Sequence, residues 1–170
     1  MPEITVADVE HVMRLVGGPD PVATWAAIDT LAARLYDHRL FTALKHMPET
    51  QEVERLYSSQ PVAYPVGGRK RKQDTHWGKK TLDEGELYFC HDRADIERTF
   101  FDHSLILGMG IGGMVNVPVM LRGQCVASLS ISTAGDRFSE RDQSELTVLA
   151  GLSLPLVMAA GWAPGPIGYG

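Results

Sequence analysis

Residues 114–132, MVNVPVMLRGQCVASLSIS, carry the pattern that decides the fold. Two apolar-rich runs, residues 114–121 and 124–132, flank the dipeptide Arg122-Gly123. A two-residue connection that ends in glycine is typical of a β-hairpin, because such turns need positive φ angles. Pro118 inside the first run indicates an edge or a bulge. Alternation assigns the residues of the second strand to two faces, with Cys125, Ala127, Leu129 and Ile131 on one and Gln124, Val126, Ser128, Ser130 and Ser132 on the other.

Outward from this hairpin, helical and extended patterns alternate and predict an α+β fold. Apolar residues recur at helical spacing after Pro21 and after the capping pair Ser139 and Asp142. The predicted helices cover residues 5–16, 21–35, 75–85, 94–107 and 139–160, and the predicted strands outside the hairpin cover residues 40–46, 52–57 and 86–90. This order predicts a mostly antiparallel sheet with helices near both ends of the chain.

The composition predicts one globular, cytoplasmic domain. The chain has 170 residues, of which 44% are hydrophobic and 22% are charged, as in ordinary globular proteins. Its apolar runs are too short to span a bilayer, and MPEITVADVEHVM lacks the cationic region of a signal peptide, so we expect no membrane partner. The formal net charge of -5 argues against nucleic acid as the partner. Cys90 and Cys125 show no metal-ligand spacing, and in a reducing compartment we expect both to be free and buried. We expect no metal and no cofactor.

A basic segment stands out in this acidic chain. Residues 58–74 contain prolines and two adjacent glycines, which predicts a long loop with little regular structure. Residues 69–72 within it read RKRK. Arginine offers a two-pronged donor set for carboxylate or phosphate, so the loop is a candidate anion site, and a solvated flexible loop is the alternative. Tyr64 and Trp77 on either side are candidates for stacking on a ligand, for a pocket wall or for the core.

The second half of the chain resembles the GAF domain, a small ligand-binding module. LDEGELYFC, MVNVPVMLRGQCVASLSIS and RFSERDQSELTVLAGLSLPLV follow the recurring family ending xxVPV…GxxxGxLxxx…FxxxDxxLLxxLA, with Ala127 where a glycine is common. The resemblance implies a central antiparallel sheet with helices packed on one face and crossing segments over a pocket on the other. It implies a GAF-like domain at residues 21–161, an N-terminal helix at residues 1–20 as a candidate dimerisation element, and a loose tail at residues 162–170.

The resemblance also implies where a ligand binds. In GAF-like folds the ligand lies between the sheet and the crossing segments, which here are the basic loop, the helix near Thr75 and residues 94–107. We therefore expect a stand-alone signalling module that senses an anionic or aromatic small molecule. The candidate ligand-binding residues are Tyr57, Ser59, Tyr64, Arg69, Arg71, Thr75, His76, Trp77, His103, Asn116, Ser128 and Ser130.

An enzyme on the same scaffold is the alternative function. In that hypothesis His76, His91 or His103 acts on a small substrate whose carboxylate is held by the cationic loop. The free methionine-(R)-sulfoxide reductases are GAF-like enzymes that use cysteines on the short helix and before the VPV strand. The corresponding segments here, THWGKK and FDHSLILGMGIGG, contain no cysteine, so that activity is disfavoured.

Apolar surface on the terminal helices predicts a homodimer. Val9, Val12, Met13 and Val16 share one side of the first helix, and residues 146–158 are strongly apolar. Pairing of these helices across a two-fold axis would bury a surface that otherwise stays exposed.

Overall fold

The computed structural model describes residues 2–161, and the predicted tail at residues 162–170 lies outside them. Within the described residues the strands are β1 (Leu40–Met47), β2 (Glu52–Ser58), β3 (Gly67–Arg71), β4 (Tyr88–Cys90), β5 (Gly113–Leu121) and β6 (Gln124–Thr133). The helices are α1 (Val6–Val16), α2 (Pro21–Tyr36), α3 (Arg93–Thr99), α4 (His103–Gly108) and α5 (Gln143–Ala159), with a π-helix at Gly78–Asp83 and a 3-10 turn at Glu140–Asp142. The predicted α+β class is confirmed.

One sheet organises the molecule. Its strand order is β3-β2-β1-β6-β5-β4, and each neighbouring pair is antiparallel. The predicted β5–β6 hairpin is present, and its turn residues Arg122 and Gly123 both have positive φ, at 50° and 78°. These angles are what a two-residue hairpin turn requires, which explains the glycine.

Helices α1, α2 and α5 cover one face of the sheet. Ile28 of α2 and Leu149 of α5 are fully buried against Phe41, Leu129 and Ile131 of the sheet, and they form the main hydrophobic core. The predicted helix starts are also present. Thr5 caps α1 through a reciprocal pair with Asp8, and Ser139 forms the same arrangement with Asp142 ahead of α5.

The basic segment contains a strand that the sequence did not predict. Residues 67–71 form β3, which pairs with β2 at the edge of the sheet. Gly67 and Gly68 have φ of 82° and 77°, so they supply the turn that brings the chain back beside β2. Pairing satisfies the outer backbone groups of β2, and cations on an edge strand discourage further strand addition. The prediction of a loop without regular structure was therefore wrong for these residues.

Two β-bulges alter the predicted strand faces. The pairing register of β1 with β2 shifts at Leu56, and that of β5 with β6 shifts at Val126. An extra residue reverses the face of everything beyond it. Cys125 consequently packs with Val53 on the face away from the helices, not on the face of Leu129 as alternation predicted.

Most of the apolar side chains that were predicted to form a dimer interface pack within the same chain. Val12 is buried, and Val9 and Val16 pack partly buried against the same core. Met13 is 45% exposed, whereas most apolar side chains of residues 146–158 belong to the core. Much of the apolar surface that motivated a homodimer is therefore already covered, and the homodimer stays a prediction.

No helix among residues 2–161 combines the length and apolar character needed to cross a membrane.

Candidate ligand-binding site

A cavity of about 300 Å³ lies on the sheet face opposite α1, α2 and α5. The strands supply its floor, and the π-helix, the α3–α4 connection, the segment around Tyr64 and β3 enclose it. This volume is at the lower end of the range for small-molecule sites. The floor consists of Leu40, Thr42, Leu44, Val53, Arg55, Met114, Asn116, Ser128 and Ser130.

Polar side chains of the central strands form part of this floor. Asn116 of β5 lies opposite Ser130 of β6, which in turn lies opposite Thr42 of β1, so the three side chains form a row across the sheet. Asn116 is only 3% exposed, and its Nδ2 has no hydrogen-bond partner within residues 2–161. A buried donor without a partner costs about 1–3 kcal/mol, so most buried donors in folded proteins have one.

Aromatic and aliphatic side chains form the opposite wall. Trp77, at the start of the π-helix, packs on Phe100 with ring centroids 5.8 Å apart. Leu82 and Ile106 line the same space. The cavity thus combines an apolar wall with a polar floor, as small-molecule sites commonly do.

Arg55, Tyr64 and Asp102 form a cluster at one end of the cavity. The Cζ atom of Arg55 lies 4.7 Å from the centre of the Tyr64 ring, and its Nη1 donates to the Pro65 carbonyl at 3.2 Å. The Tyr64 hydroxyl donates to Asp102 Oδ2 at 2.6 Å. Burial and this hydrogen bond raise the pKa of Tyr64, and burial lowers the pKa of Arg55. Arg55 was not among the residues predicted from the sequence, although its two-residue spacing from Val53 places both on one face.

The basic segment forms a side wall, not a lid. Lys70 lies opposite Val53 and lines the cavity, as do Arg71 and Lys72. Lys70 and Arg71 are exposed, whereas the Lys72 side chain is only 10% exposed. Lys72 Nζ donates to both Asp83 oxygens at 2.6 and 2.7 Å. That ion pair ties β3 to the end of the π-helix. Arg69 points elsewhere, with its Nε 3.6 Å from Glu54, so it lies outside the cavity.

Five of the predicted binding residues lie outside this cavity. The Leu56 bulge turns Tyr57 to the helix side, where its hydroxyl donates to Asp29 Oδ2 at 2.6 Å. Ser59 accepts a hydrogen bond from the Phe41 amide at 2.9 Å. The others are Arg69, His76 and His103, whereas Tyr64, Arg71, Thr75, Trp77, Asn116, Ser128 and Ser130 line the cavity.

His76 and His103 lie instead in a neighbouring cleft. It shares Thr75, Thr99 and Phe100 with the wall of the cavity. His91 lies in neither space and pairs with Asp136 at 2.9 Å. No group of three or more His, Cys, Asp or Glu residues within residues 2–161 is arranged to hold a metal ion.

Both cysteines are buried and lie outside the residues that line the cavity. Burial raises the pKa of Cys90 to about 11 and that of Cys125 to about 12. Each thiol is therefore protonated at neutral pH, which is unlike an activated nucleophile.

The stability of the fold is expected to fall with pH below about 6.5, owing to His46 at the buried end of β1. His46 Nδ1 donates to the Cys125 carbonyl at 2.9 Å, and Nε2 has no partner within residues 2–161. Burial lowers the pKa of His46 in the folded state, and Lys72 lowers it further. The unfolded chain therefore binds more protons just below its own pKa, so the unfolding free energy decreases as pH falls through that window.

Chemical denaturation at several pH values tests this effect. His46→Gln should flatten the dependence between pH of about 6.5 and 5, whereas His11→Gln, on the exposed side of α1, should leave it as in the wild type. Equal pH slopes in the wild type and His46→Gln would rule out this role.

Solved structures share this architecture. The GAF domain of a phosphoenolpyruvate-protein phosphotransferase from Acinetobacter matches with a TM-score of 0.70 at 16% identity, covering 98% of this chain and 99% of that chain. The corresponding GAF domain from Coxiella burnetii gives 0.70 at 13% identity, with 91% and 94% covered. This chain has a GAF fold. The GAF-like domain also matches the chromophore-binding domain of a bacteriophytochrome from R. palustris, with a TM-score of 0.62, 9% identity and coverage of 92% and 62%.

At these identities the likeness concerns the fold of the GAF-like domain and does not extend to its ligand. No protein-family model and no curated protein matches the sequence. The resemblance noted in the hairpin and the last helix is confirmed at the level of the fold.

Proposed function

We propose that this GAF-like domain senses a small molecule that binds in the sheet cavity, and that the ligand is anionic or aromatic. The observation that carries the proposal is the pairing of a buried, unpartnered Asn116 amide with an aromatic wall in a cavity of about 300 Å³. A ligand oxygen near Asn116 would accept the free N–H, and a ring would pack against Trp77.

Charge favours an anionic ligand. Four cations line the cavity, namely Arg55, Lys70, Arg71 and Lys72. Asp83 already pairs with Lys72, and Lys70 and Arg71 belong to the exposed edge strand β3. Among the described residues that line the cavity, the carboxylate is that of Asp102. That carboxylate already accepts the Tyr64 hydroxyl. A concave site lined by one sign of charge raises the local concentration of the opposite charge, even in a chain with a net charge of -5.

The fold neighbours give the proposal support by analogy. One of them is a chromophore-binding domain, so a relative of the same architecture holds a small molecule. Ligand binding and a signalling role for this chain are part of the proposal. No cofactor is needed for it.

Two adjacent cations on β3 test the proposal. Lys70 lines the cavity and Arg69 does not, so Lys70→Gln and Arg69→Gln remove the same charge on opposite faces of one strand. We expect aromatic acids, cyclic nucleotides or amino acids in a thermal-shift and calorimetry panel to include a binder. Lys70→Gln should weaken that binder about threefold to tenfold, whereas Arg69→Gln should change its affinity by less than about twofold.

The same panel can contradict the proposal. If no anionic or aromatic compound raises the melting temperature of the wild type, the proposed ligand class is wrong. If both variants weaken binding equally, the anion is attracted by the surface charge of the domain and does not bind in the cavity.

A second matched pair separates binding from stability. Tyr64 and Tyr57 each donate to a carboxylate at 2.6 Å, but only Tyr64 lines the cavity. Tyr64→Phe and Tyr57→Phe should both lower the unfolding free energy by about 1–3 kcal/mol, as expected for hydrogen bonds to charged groups. Only Tyr64→Phe should also change ligand affinity in calorimetry. A ligand-affinity loss in Tyr57→Phe of the same size would place the site elsewhere.

The alternative enzyme has less support. It required a histidine beside the cationic segment, but the residues lining the cavity include none of His76, His91 and His103. His76 and His103 line a neighbouring cleft and His91 pairs with Asp136, so none of the three lies beside the cations of the cavity, and we do not advance a reaction.

A further inference from the structure

We infer that Arg55 anchors the ligand, and that the ligand presents a carboxylate or a phosphate to the Nε–Nη2 edge of its guanidinium. This inference rests on the proposed function and deepens it, because it names the residue and the chemistry that select the ligand. It assigns a role to a side chain that the sequence pattern did not single out.

The edges of the Arg55 guanidinium are unequally used. Nη1 donates to the Pro65 carbonyl at 3.2 Å, and one face of the group lies over the Tyr64 ring at 4.7 Å. Nε is buried and has no hydrogen-bond partner within residues 2–161. The planar fork formed by Nε and Nη2 matches the spacing of two oxygens on a carboxylate or a phosphate. The unused edge is therefore of the kind that binds an oxyanion with two parallel hydrogen bonds.

Arg55 also differs from Lys72 in its counter-charge. Lys72 is bound by Asp83, whereas Arg55 forms no ion pair with a described residue. Burial lowers the pKa of Arg55, which reflects the cost of holding its charge away from water. An oxyanion bound at the free edge would offset that cost. Arg55 would therefore favour a negatively charged ligand and also fix where its charged group lies.

The surroundings hold Arg55 ready for such a ligand. Tyr64 supports the guanidinium plane, and Tyr64 is itself fixed by its hydrogen bond to Asp102 at 2.6 Å. The Pro65 carbonyl fixes the rotation of the group in that plane. A donor pair that is already oriented loses little conformational freedom when it binds, which favours affinity and selectivity.

A second unpartnered donor indicates the shape of the ligand. Asn116 Nδ2 lies on β5, and Arg55 lies on β2, with β1 and β6 between them. Three strand spacings separate the two strands by about 14 Å, before either side chain reaches into the cavity. Both unsatisfied groups are donors. The fitting ligand class is a compact molecule with an oxyanion at one end, an apolar ring or chain in the middle and a neutral acceptor oxygen at the other.

NMR of the arginine Nε–H signals tests the inference directly. Benzoate and phenyl phosphate serve as oxyanion probes, and benzamide serves as the neutral counterpart of benzoate. We expect the Arg55 Nε signal, assigned by its loss in Arg55→Lys, to shift with the anions and to stay in place with benzamide. If Arg55→Lys folds poorly, the same signal can be assigned in the wild type by its nuclear Overhauser contacts with the Tyr64 ring, whose centre lies 4.7 Å from the Arg55 Cζ atom.

Affinity measurements complete the test. Arg55→Lys keeps the charge but loses the fork, and it should weaken benzoate about tenfold or more. Arg69→Lys is the matched control outside the cavity and should bind benzoate as the wild type does. An unmoved Arg55 Nε signal, or unchanged benzoate affinity in Arg55→Lys, overturns the inference. If Lys70→Gln nevertheless weakens the anions, the proposed cavity function stands while the anchor is a different cation.

Discussion

Phe41→Ala is expected to lower the free energy of unfolding by about 3–5 kcal/mol. Phe41 is fully buried in β1 and packs on Tyr57, with ring centroids 5.8 Å apart, and on His38 at 5.9 Å. Its truncation removes buried apolar surface and leaves a hole that neighbours on a sheet can fill only in part. Urea denaturation followed by circular dichroism gives the change directly, and an unaltered m-value would confirm that the two end states are comparable.

Phe101→Ala is the control for this substitution. Phe101 is 78% exposed between α3 and α4, so the same change should alter stability by less than about 0.5 kcal/mol. Similar losses in the two variants would mean that Phe41 does not lie at the centre of the helix-side core.

Ser130→Leu is expected to weaken ligand binding about 100-fold or more while the fold survives. Ser130 lies on the cavity floor, where the sheet meets open space and not a packed layer. A leucine there would occupy the ligand volume and bury apolar surface against the wall near Trp77. We expect its unfolding free energy to stay within about 1 kcal/mol of the wild type.

Ala127→Leu, on the same strand, is expected to lower the unfolding free energy, unlike Ser130→Leu. Ala127 of β6 is fully buried on the helix side, where added atoms have no free volume to enter. Overpacking of this kind typically costs about 1–3 kcal/mol. If Ser130→Leu destabilised the chain as much as Ala127→Leu, the cavity would be too small to receive a ligand. If Ser130→Leu bound the ligand normally, the ligand would lie elsewhere.

Local sequence signals predicted much of the fold. The two-residue turn at Arg122-Gly123 specified the β5–β6 hairpin, and short-range capping pairs specified the starts of α1 and α5. These features depend on residues a few positions apart, so a single sequence contains the needed information. The GAF resemblance then predicted that the separate strands form one central sheet.

Features that depend on pairing between distant strands were harder to predict. The bulge at Leu56 moved Tyr57 to the helix side and left Arg55 facing the cavity. The bulge at Val126 moved Cys125 in the opposite direction, to the face away from the helices. A bulge is an insertion relative to a partner strand, and alternation along one strand cannot reveal it.

The basic segment shows the same limit. Its charge suggested an anion site, its glycines suggested a loop, and the GAF resemblance placed it across the pocket, but the segment instead pairs with the edge of β2. Lys70 lines the cavity, whereas its neighbour Arg69 lies beside Glu54 and outside the cavity. The composition predicted that cations are concentrated in this segment, but it did not predict which of these side chains could contact a ligand.

Saturation-transfer NMR with a mixture of aromatic acids and their neutral amides tests most directly whether the cavity of the GAF-like domain is a ligand site. The wild type and Ser130→Leu should be compared at equal concentration, with circular dichroism to confirm that both are folded. We predict signals from one or more acids with the wild type, and their loss with Ser130→Leu. The account is contradicted if no compound receives saturation from the wild type, or if both proteins give the same signals.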